Sequence, residues 1–300
     1  MLEVKRLSEI LGHQEVISYL LNDLKTGRLA HGYLFIGKGG IGKKTLALSF
    51  AKSILCQKGQ EGFCGSCSSC RRFDMETYSE FLGFFDTGEK VKIETVRDII
   101  EEETLKRYEG SYRVILIENV ERMTTEAANA LLKVLEEPNS GTIFLFTATN
   151  KDDILPTILS RVEKYYLSPL KEEDLAKVLE NLGYGQVPYL KLGTIDEARV
   201  LLDNQDDELL SYQDFRDLFL EKDLEKLFKL ADKLSKKKYL KELLSYYQIE
   251  AALRFKDLKK GLDYRIFQSL DQAYGKFKIN VNERHILEYC FLTIGGIFSE

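Results

Sequence analysis

The 300-residue chain is long enough for two or three domains with real cores. Its 44% hydrophobic and 30% charged residues place it among soluble globular proteins, and no apolar run approaches a membrane span. A formal net charge of −5 argues against a chain that binds nucleic acid by charge alone, and the start, Met1 to Arg6, lacks the basic-then-apolar order of a secretory signal, so the cytoplasm is the expected compartment.

Residues 8–29 read as one helix after a turn, with Val16, Tyr19, Leu20 and Leu24 near one face and Gly27 and Arg28 ending it. The stretch Tyr33-Leu-Phe-Ile36 then reads as a buried strand. A turn carrying Gly37, Gly39, Gly40 and Gly42 follows, and Leu46 to Leu55 has helical periodicity. Strand, glycine turn and helix are the context a phosphate-binding loop requires: glycines let backbone N–H groups face an anion, and the helix N-terminus adds its dipole. Lys43 fits the lysine of the pattern G-x-x-x-x-G-K-[ST] and would reach outer phosphates as a point charge. The next position should supply a hydroxyl for Mg²⁺. Here it is Lys44, and Thr45 is one place too far, rotated by about 100° around the helix. The loop reads as a nucleotide cradle that has lost a metal ligand, holding ATP or ADP without competent hydrolysis; a tight turn closing helix onto strand is the other reading.

Four of the five cysteines cluster at 56, 64, 67 and 70. Cys56 closes the loop's helix, and Cys64-Gly-Ser-Cys67-Ser-Ser-Cys70 has the tight spacing that lets neighbouring thiolates share one tetrahedral ion. An iron–sulfur cluster would use similar spacing. Structural zinc is favoured, because nothing else in the chain suggests redox work. His13, His31 and His285 are scattered and read as ordinary residues.

Phe81 to Phe85 reads as a second buried strand, Ile93 to Leu105 as an amphipathic helix, and Arg113 to Ile117 as a central parallel strand. Thr124 to Leu135 reads as a helix capped by Thr124 or Thr125 and ended at Pro138, Thr142 to Thr147 as a fourth strand, and Tyr165 to Leu167 as a fifth. The alternation predicts a parallel α/β sheet with ligands at the strand carboxyl ends. After Pro169 only helical periodicity remains. Leu175, Val178, Leu179 and Leu182 form a short helix stopped by Gly183-Tyr-Gly185. Pairs such as Leu209–Leu210, Leu218–Phe219, Leu227–Phe228 and Leu243–Leu244 mark core faces of packed helices. The last proline is Pro188, so nothing interrupts helices beyond it, and Lys236 to Lys238 reads as a solvated face.

The third strand ends Ile117-Glu118-Asn119, where a phosphate-loop ATPase carries an Asp for Mg²⁺ and a Glu that orients water. Glu118 could still coordinate a metal through water, but Asn119 cannot act as a base. Downstream stand Ala128-Asn-Ala-Leu-Leu-Lys133-Val-Leu-Glu-Glu-Pro138 and Ile154-Leu-Pro-Thr-Ile-Leu-Ser160-Arg161-Val162. In this order, and with the cysteine knuckle after the loop's helix, these residues resemble bacterial clamp-loader subunits of the AAA+ family over at least residues 7–202. The resemblance implies an AAA+ module with its zinc knuckle over 1–167, a helical lid over 168–207 and a helical collar for oligomerisation over 208–300. It also implies a hetero-oligomer with motor (gamma/tau-like) and delta subunits, acting through the complex on the sliding clamp and primer–template DNA at the replication fork.

Lys44, Glu118 and Asn119 depart from the motor pattern. So does Asp196, where family ATPases place an arginine that senses nucleotide from the lid. The resemblance therefore implies a retired ATPase. Ser160-Arg161 keeps the family's Ser-Arg-Cys motif, with Val162 for the cysteine, and there the arginine serves a neighbour's γ-phosphate in trans. Arg161 follows the turn after the fourth strand and is expected at the edge of the nucleotide-binding face; without the motif, an ion pair at the sheet edge would be the ordinary reading. The competing functions are an active AAA+ ATPase, stand-alone or gamma/tau-like, and a zinc-dependent nucleic-acid-binding protein.

Overall fold

A computed structural model describes residues 4–59, 62–184, 192–204, 211–221, 223–254, 261–277 and 282–296. The chain divides into two compact units, 1–174 and 175–300. Gly185, Pro188, the pair Leu209–Leu210 and the boundary expected at 207/208 lie outside the described residues.

The first unit is a three-layer α/β sandwich. In chain order it holds α1 (Gln14–Thr26), β1 (Gly32–Ile36), α2 (Lys43–Leu55), α3 (Ser68–Asp74), β2 (Phe81–Phe84), α4 (Ile93–Thr104), β3 (Arg113–Ile117), α5 (Thr125–Glu136), β4 (Thr142–Ala148), α6 (Pro156–Leu159) and β5 (Glu163–Tyr166). The strands are all parallel and ordered β2-β3-β4-β1-β5. Successive side chains of a strand face opposite sides, and here both sides are covered. Tyr33, Phe35, Val114, Leu116, Ile143 and Leu145 pack against the α1 and α2 side. Leu34, Ile36, Ile115, Ile117, Phe144 and Phe146 pack against the α4 and α5 side. Burial on both faces is why β1, β3 and β4 read as unbroken apolar runs. The parallel α/β fold class expected from the sequence is the one observed, with helices alone following it among the described residues.

Three details differ from expectation. The helix over 8–29 is a 3-10 turn at Leu7–Glu9 followed by α1, because Gly12 (φ 76°) and His13 (φ 57°) both adopt left-handed backbone between them. The buried stripe of α1 is Ile17, Leu20 and Leu24, and Tyr19 is 53% exposed. Gly27, also left-handed, ends α1 as expected. Finally, β2 lies at the sheet edge and is only half-buried.

The other expected signals hold locally. The Thr124 side chain caps α5 by accepting the Ala127 N–H. A buried ion pair pins the amino end of β3: Arg113 Nε donates to Glu80 Oε2 at 2.9 Å, and both side chains are all but inaccessible. Glu80 also accepts the Tyr108 N–H, and Arg113 donates to the Leu105 carbonyl, so this pair closes the carboxyl end of α4.

The second unit contains the body of α7 (Glu172–Asn181), then α8 (Ile195–Leu202), α9 (Tyr212–Glu221), α10 (Leu224–Ser235), α11 (Leu240–Arg254), α12 (Leu262–Phe277) and α13 (Glu283–Ile294). Gly183 (φ 90°) ends α7: its N–H reaches Glu180 O and the Tyr184 N–H reaches Leu179 O, the paired bonds of a Schellman turn. Helix α11 packs on α8 and α12, and α13 on α12 and α10. Their core is aromatic, with Phe215 stacked on Tyr247 at 4.2 Å between centroids and Phe291 edge-on to Phe215 and Phe219. Leu243 and Leu244 are both buried, whereas Phe228 and Leu182 face solvent.

Candidate functional site: a phosphate loop and a four-cysteine cluster

The glycine loop joins the carboxyl end of β1 to the first residue of α2. Gly40 (φ 70°) and Gly42 (φ 95°) supply the left-handed backbone of the turn. Gly37 is required for a different reason: a Cβ there would stand 2.5 Å from both Ile41 Cδ1 and Leu167 O. Lys43 is the first residue of α2 and is buried, with Nζ donating to the carbonyls of Gly37 (2.6 Å) and Lys38 (2.8 Å). Its ammonium thus braces the loop from inside. Thr45 is exposed. His13 packs on the loop as well, its Nε2–H donating to Ile41 O at 2.8 Å. Burial lowers the His13 pKa, against the Ile41 bond and the charge of Asp174, which both raise it.

Across the carboxyl edge of the sheet, Glu118 and Asn119 follow β3. Lys44 Nζ donates to Glu118 Oε2 at 3.0 Å and lies over the Phe85 ring, 4.2 Å from its centroid. The same Glu118 oxygen accepts the Asp86 N–H at 3.1 Å. Asn119 is left-handed (φ 51°); its N–H donates to Thr147 Oγ1 and its side-chain amide to Asp86 Oδ2 at 2.7 Å. Asp86 also pairs with Arg122 (3.1 Å) and accepts the Gly88 N–H. Burial opposes ionisation of Asp86, but these donors together hold its carboxyl below the usual carboxylate range. Asp86, Phe85, Arg122 and His13 are the site residues that sequence reasoning missed. No spacing rule points to Asp86 or Phe85, which meet Glu118, Asn119 and Lys44 from more than 30 residues away.

At the far end of α2 the four cysteine sulfurs converge, all within 4.8 Å of one another. Cys56 is the C-cap of α2, and Cys67 is the N-cap of α3, accepting the Cys70 N–H. Backbone N–H groups of Lys58 and Cys64 point at the Cys56 sulfur (3.4 and 3.3 Å), that of Cys67 at Cys64 (3.4 Å), and that of Cys70 at Cys67 (3.4 Å). Such donors stabilise thiolates, which are the metal-binding form. The N–H and hydroxyl of Ser66, with the Cys67 N–H, pull Cys64 down to about 5, whereas burial pushes Cys56 and Cys70 up. Gly65 (φ 75°) makes the knuckle turn. The knuckle is fixed to α2 by buried Lys52, which pairs with Asp74 at 2.5 Å and lies over the Phe63 ring at 4.1 Å. The donor set, four sulfurs with no carboxylate or imidazole among them, fits one tetrahedral ion with all positions filled. Cys290 is elsewhere, in α13, where burial pushes its thiol up to about 12.

Arg161 sits just before β5, whose Glu163 pairs with Tyr33 near the amino end of β1. The loop leaves β1 at its opposite end. Arg161 is therefore not at the edge of the loop-bearing face, as the sequence suggested, but roughly 13 Å or more away along the strand. Its guanidinium donates to Glu136 Oε1 at 2.6 Å, to Thr157 O and to Ser160 Oγ, and the side chain stays about one-third exposed. Asp196 lies in the first turn of α8 in the second unit, behind the buried N-cap Thr194.

The family described as "DNA polymerase III, delta subunit" matches residues 12–171, more than half of the chain. The chain belongs to this family. The likeness seen in the sequence motifs thus holds at the level of DNA polymerase III subunits. Among curated relatives, the chain is 32% identical to the DNA polymerase III subunit tau/gamma of Haemophilus influenzae over 179 residues, covering 59% of this chain and 26% of that protein. It is 31% identical to the DNA polymerase III subunit delta' of Bacillus subtilis over 206 residues, covering 64% of this chain and 62% of that one. The chain spans about a quarter of the length of the tau/gamma relative and less than two thirds of the delta' relative. A DNA polymerase III gamma-subunit-related protein of Thermotoga maritima superposes over 92% of this chain and 99% of its own, with 18% identity and a TM-score of 0.49. No helix among the described residues of this family member is long and apolar enough to cross a membrane.

Proposed function

We propose that the chain is a delta-prime-type subunit of the sliding-clamp loader, one that does not hydrolyse ATP itself and lends Arg161 to a neighbouring motor subunit. The observation that carries this reading is the ion pair of Lys44 with Glu118. Two positions that would share a metal in a working site are bonded to each other, and Asn119, where a carboxylate would orient water, is committed to Asp86. Arg161 supports the second half. It is too far along the strand to serve its own loop, and a permanently charged planar group matches charge developing on a transferring phosphoryl. Reaching a neighbour requires leaving Glu136, an exposed pair of the kind that holds weakly.

The partners would be motor (gamma/tau-like) and delta subunits, with the clamp and primer–template DNA engaged through the assembled complex in the cytoplasm. Residues 168–207 would form the lid and residues 208–300 the collar, the second unit holding all but the first residues of the lid. One zinc ion would be held by Cys56, Cys64, Cys67 and Cys70. A closed shell leaves no position for a reacting water, so zinc would stabilise the knuckle and do no chemistry.

The likeness to tau/gamma subunits favours a second reading, an active motor ATPase. One pair of experiments separates the two. Mixing the purified chain with motor and delta subunits should give one assembled complex, and the isolated chain should show no meaningful ATP turnover. Failure to assemble contradicts the clamp-loader reading; turnover comparable to motor subunits supports the motor reading instead.

A further inference from the structure

A phosphate-loop site implies a divalent ion, and the residues here do not fit one. Mg²⁺ demands a near-octahedral oxygen shell at about 2.0–2.1 Å. The position that should offer a hydroxyl offers the half-exposed Lys44 ammonium, held between the Phe85 ring at 4.2 Å and the Glu118 carboxylate at 3.0 Å. The Glu118 oxygen that faces it is also spent on the Asp86 N–H. The nearest hydroxyl in sequence, Thr45, is one residue round the helix and exposed.

We propose that Lys44 is a built-in cation. It takes the place at Glu118 that a divalent ion takes in a working loop, and it latches the first turn of α2 to the carboxyl end of β3 whatever the metal supply. The contacts form a continuous chain without metal: Phe85 and Lys44, then Glu118, then the backbone of Asp86, then the Asp86 carboxylate with Asn119 and Arg122, and from the Asn119 N–H to Thr147 at the end of β4. In a hydrolysing subunit the metal comes and goes with nucleotide, so the geometry of this edge follows the nucleotide state. Here a covalently tethered charge holds it, and the edge keeps one arrangement. The inference rests on the loop being retired, but it makes a separate claim: Lys44 replaces metal rather than merely excluding it.

The test is amide hydrogen exchange on the full-length, zinc-loaded protein in ADP, with and without millimolar Mg²⁺, followed in peptides covering the first turn of α2 and residues 84–88. Wild type should exchange identically in both. Lys44→Thr should speed exchange about threefold to tenfold without Mg²⁺, the size of one exposed ion pair with a cation–π contact, and Mg²⁺ should restore the protection. Lys44→Arg, which keeps the charge, should exchange like wild type. Mg²⁺-dependent protection in wild type overturns the proposal. So does a Lys44→Thr protein that exchanges like wild type without metal, or one that gains no response to Mg²⁺. ATP turnover measured on the same samples reports on the retired-loop reading separately: hydrolysis by wild type overturns that reading, whereas the Mg²⁺ response of exchange decides the role of Lys44.

Discussion

The two ends of α2 make an instructive contrast. At its carboxyl end, the polar atoms of the knuckle converge on a common point, with backbone N–H groups turned toward the sulfurs and Lys52 fastening the module from behind. At its amino end, the side chains bond to the protein itself: Lys43 to loop carbonyls, Lys44 to Glu118, Asn119 to Asp86. One site turns its side chains to a common point, and the other pairs them with neighbouring groups of the protein. A motif by itself cannot make that distinction, because both ends carry recognisable spacing; what separates them is where each polar atom finds its partner.

The contrast is broken most forcefully at the cysteine end. Protein prepared without chelator should carry one zinc per chain by elemental analysis, and Cys70→Ser should lose it and unfold the knuckle, since apparent zinc-binding energies of such shells reach about 10–16 kcal/mol in small peptides. Cys290→Ser should leave the zinc content unchanged. Iron in place of zinc, or a chain with neither, would remove the contrast.

A smaller effect is expected at the loop. Lys43→Ala leaves the carbonyls of Gly37 and Lys38 without their buried donor and should cost about 1–3 kcal/mol in denaturant unfolding. In a working loop the same substitution would act chiefly on nucleotide. If stability is unchanged and only nucleotide affinity falls, the loop is not self-satisfied.

The smallest effect is a pH slope from His13. Its folded pKa lies below the ordinary value of 6.5, chiefly because burial disfavours the charged ring. The unfolded chain therefore binds more protons, and this contribution is fully present above about pH 6.5 and is lost as pH falls toward the folded value. Unfolding midpoints measured between about pH 7 and pH 5 should decline, and His13→Gln should flatten that decline. A His13→Gln slope equal to wild type would separate the ring from the loop.

Legibility in the sequence follows locality. The strands β1, β3 and β4 were readable because burial on both faces demands unbroken apolar runs, and the cysteine cluster because its ligands lie within fifteen residues. The start of α1 was not readable, since helical periodicity continues through Gly12 and His13 while their left-handed backbone stops the helix. The exposure of β2 depends on strand order, which no single stretch encodes. The Lys44–Glu118 pair joins residues 74 apart, so the sequence discloses a lysine where the pattern has a hydroxyl but not the carboxylate that it meets. For Arg161 the motif was legible, yet its place at the amino end of β5 emerged only from the register with β1.

The proposal that a chain with a retired loop completes a neighbour's active site through Arg161 is tested by single-turnover ATP hydrolysis at the motor site bordering this chain in the assembled loader. Arg161→Ala should leave zinc content, fold and assembly intact while lowering that rate by about 10³-fold or more, and Arg161→Lys should not restore it fully, because an ammonium lacks the fork geometry of a guanidinium. A wild-type rate at that site with Arg161→Ala would contradict the account and leave Arg161 as the surface partner of Glu136.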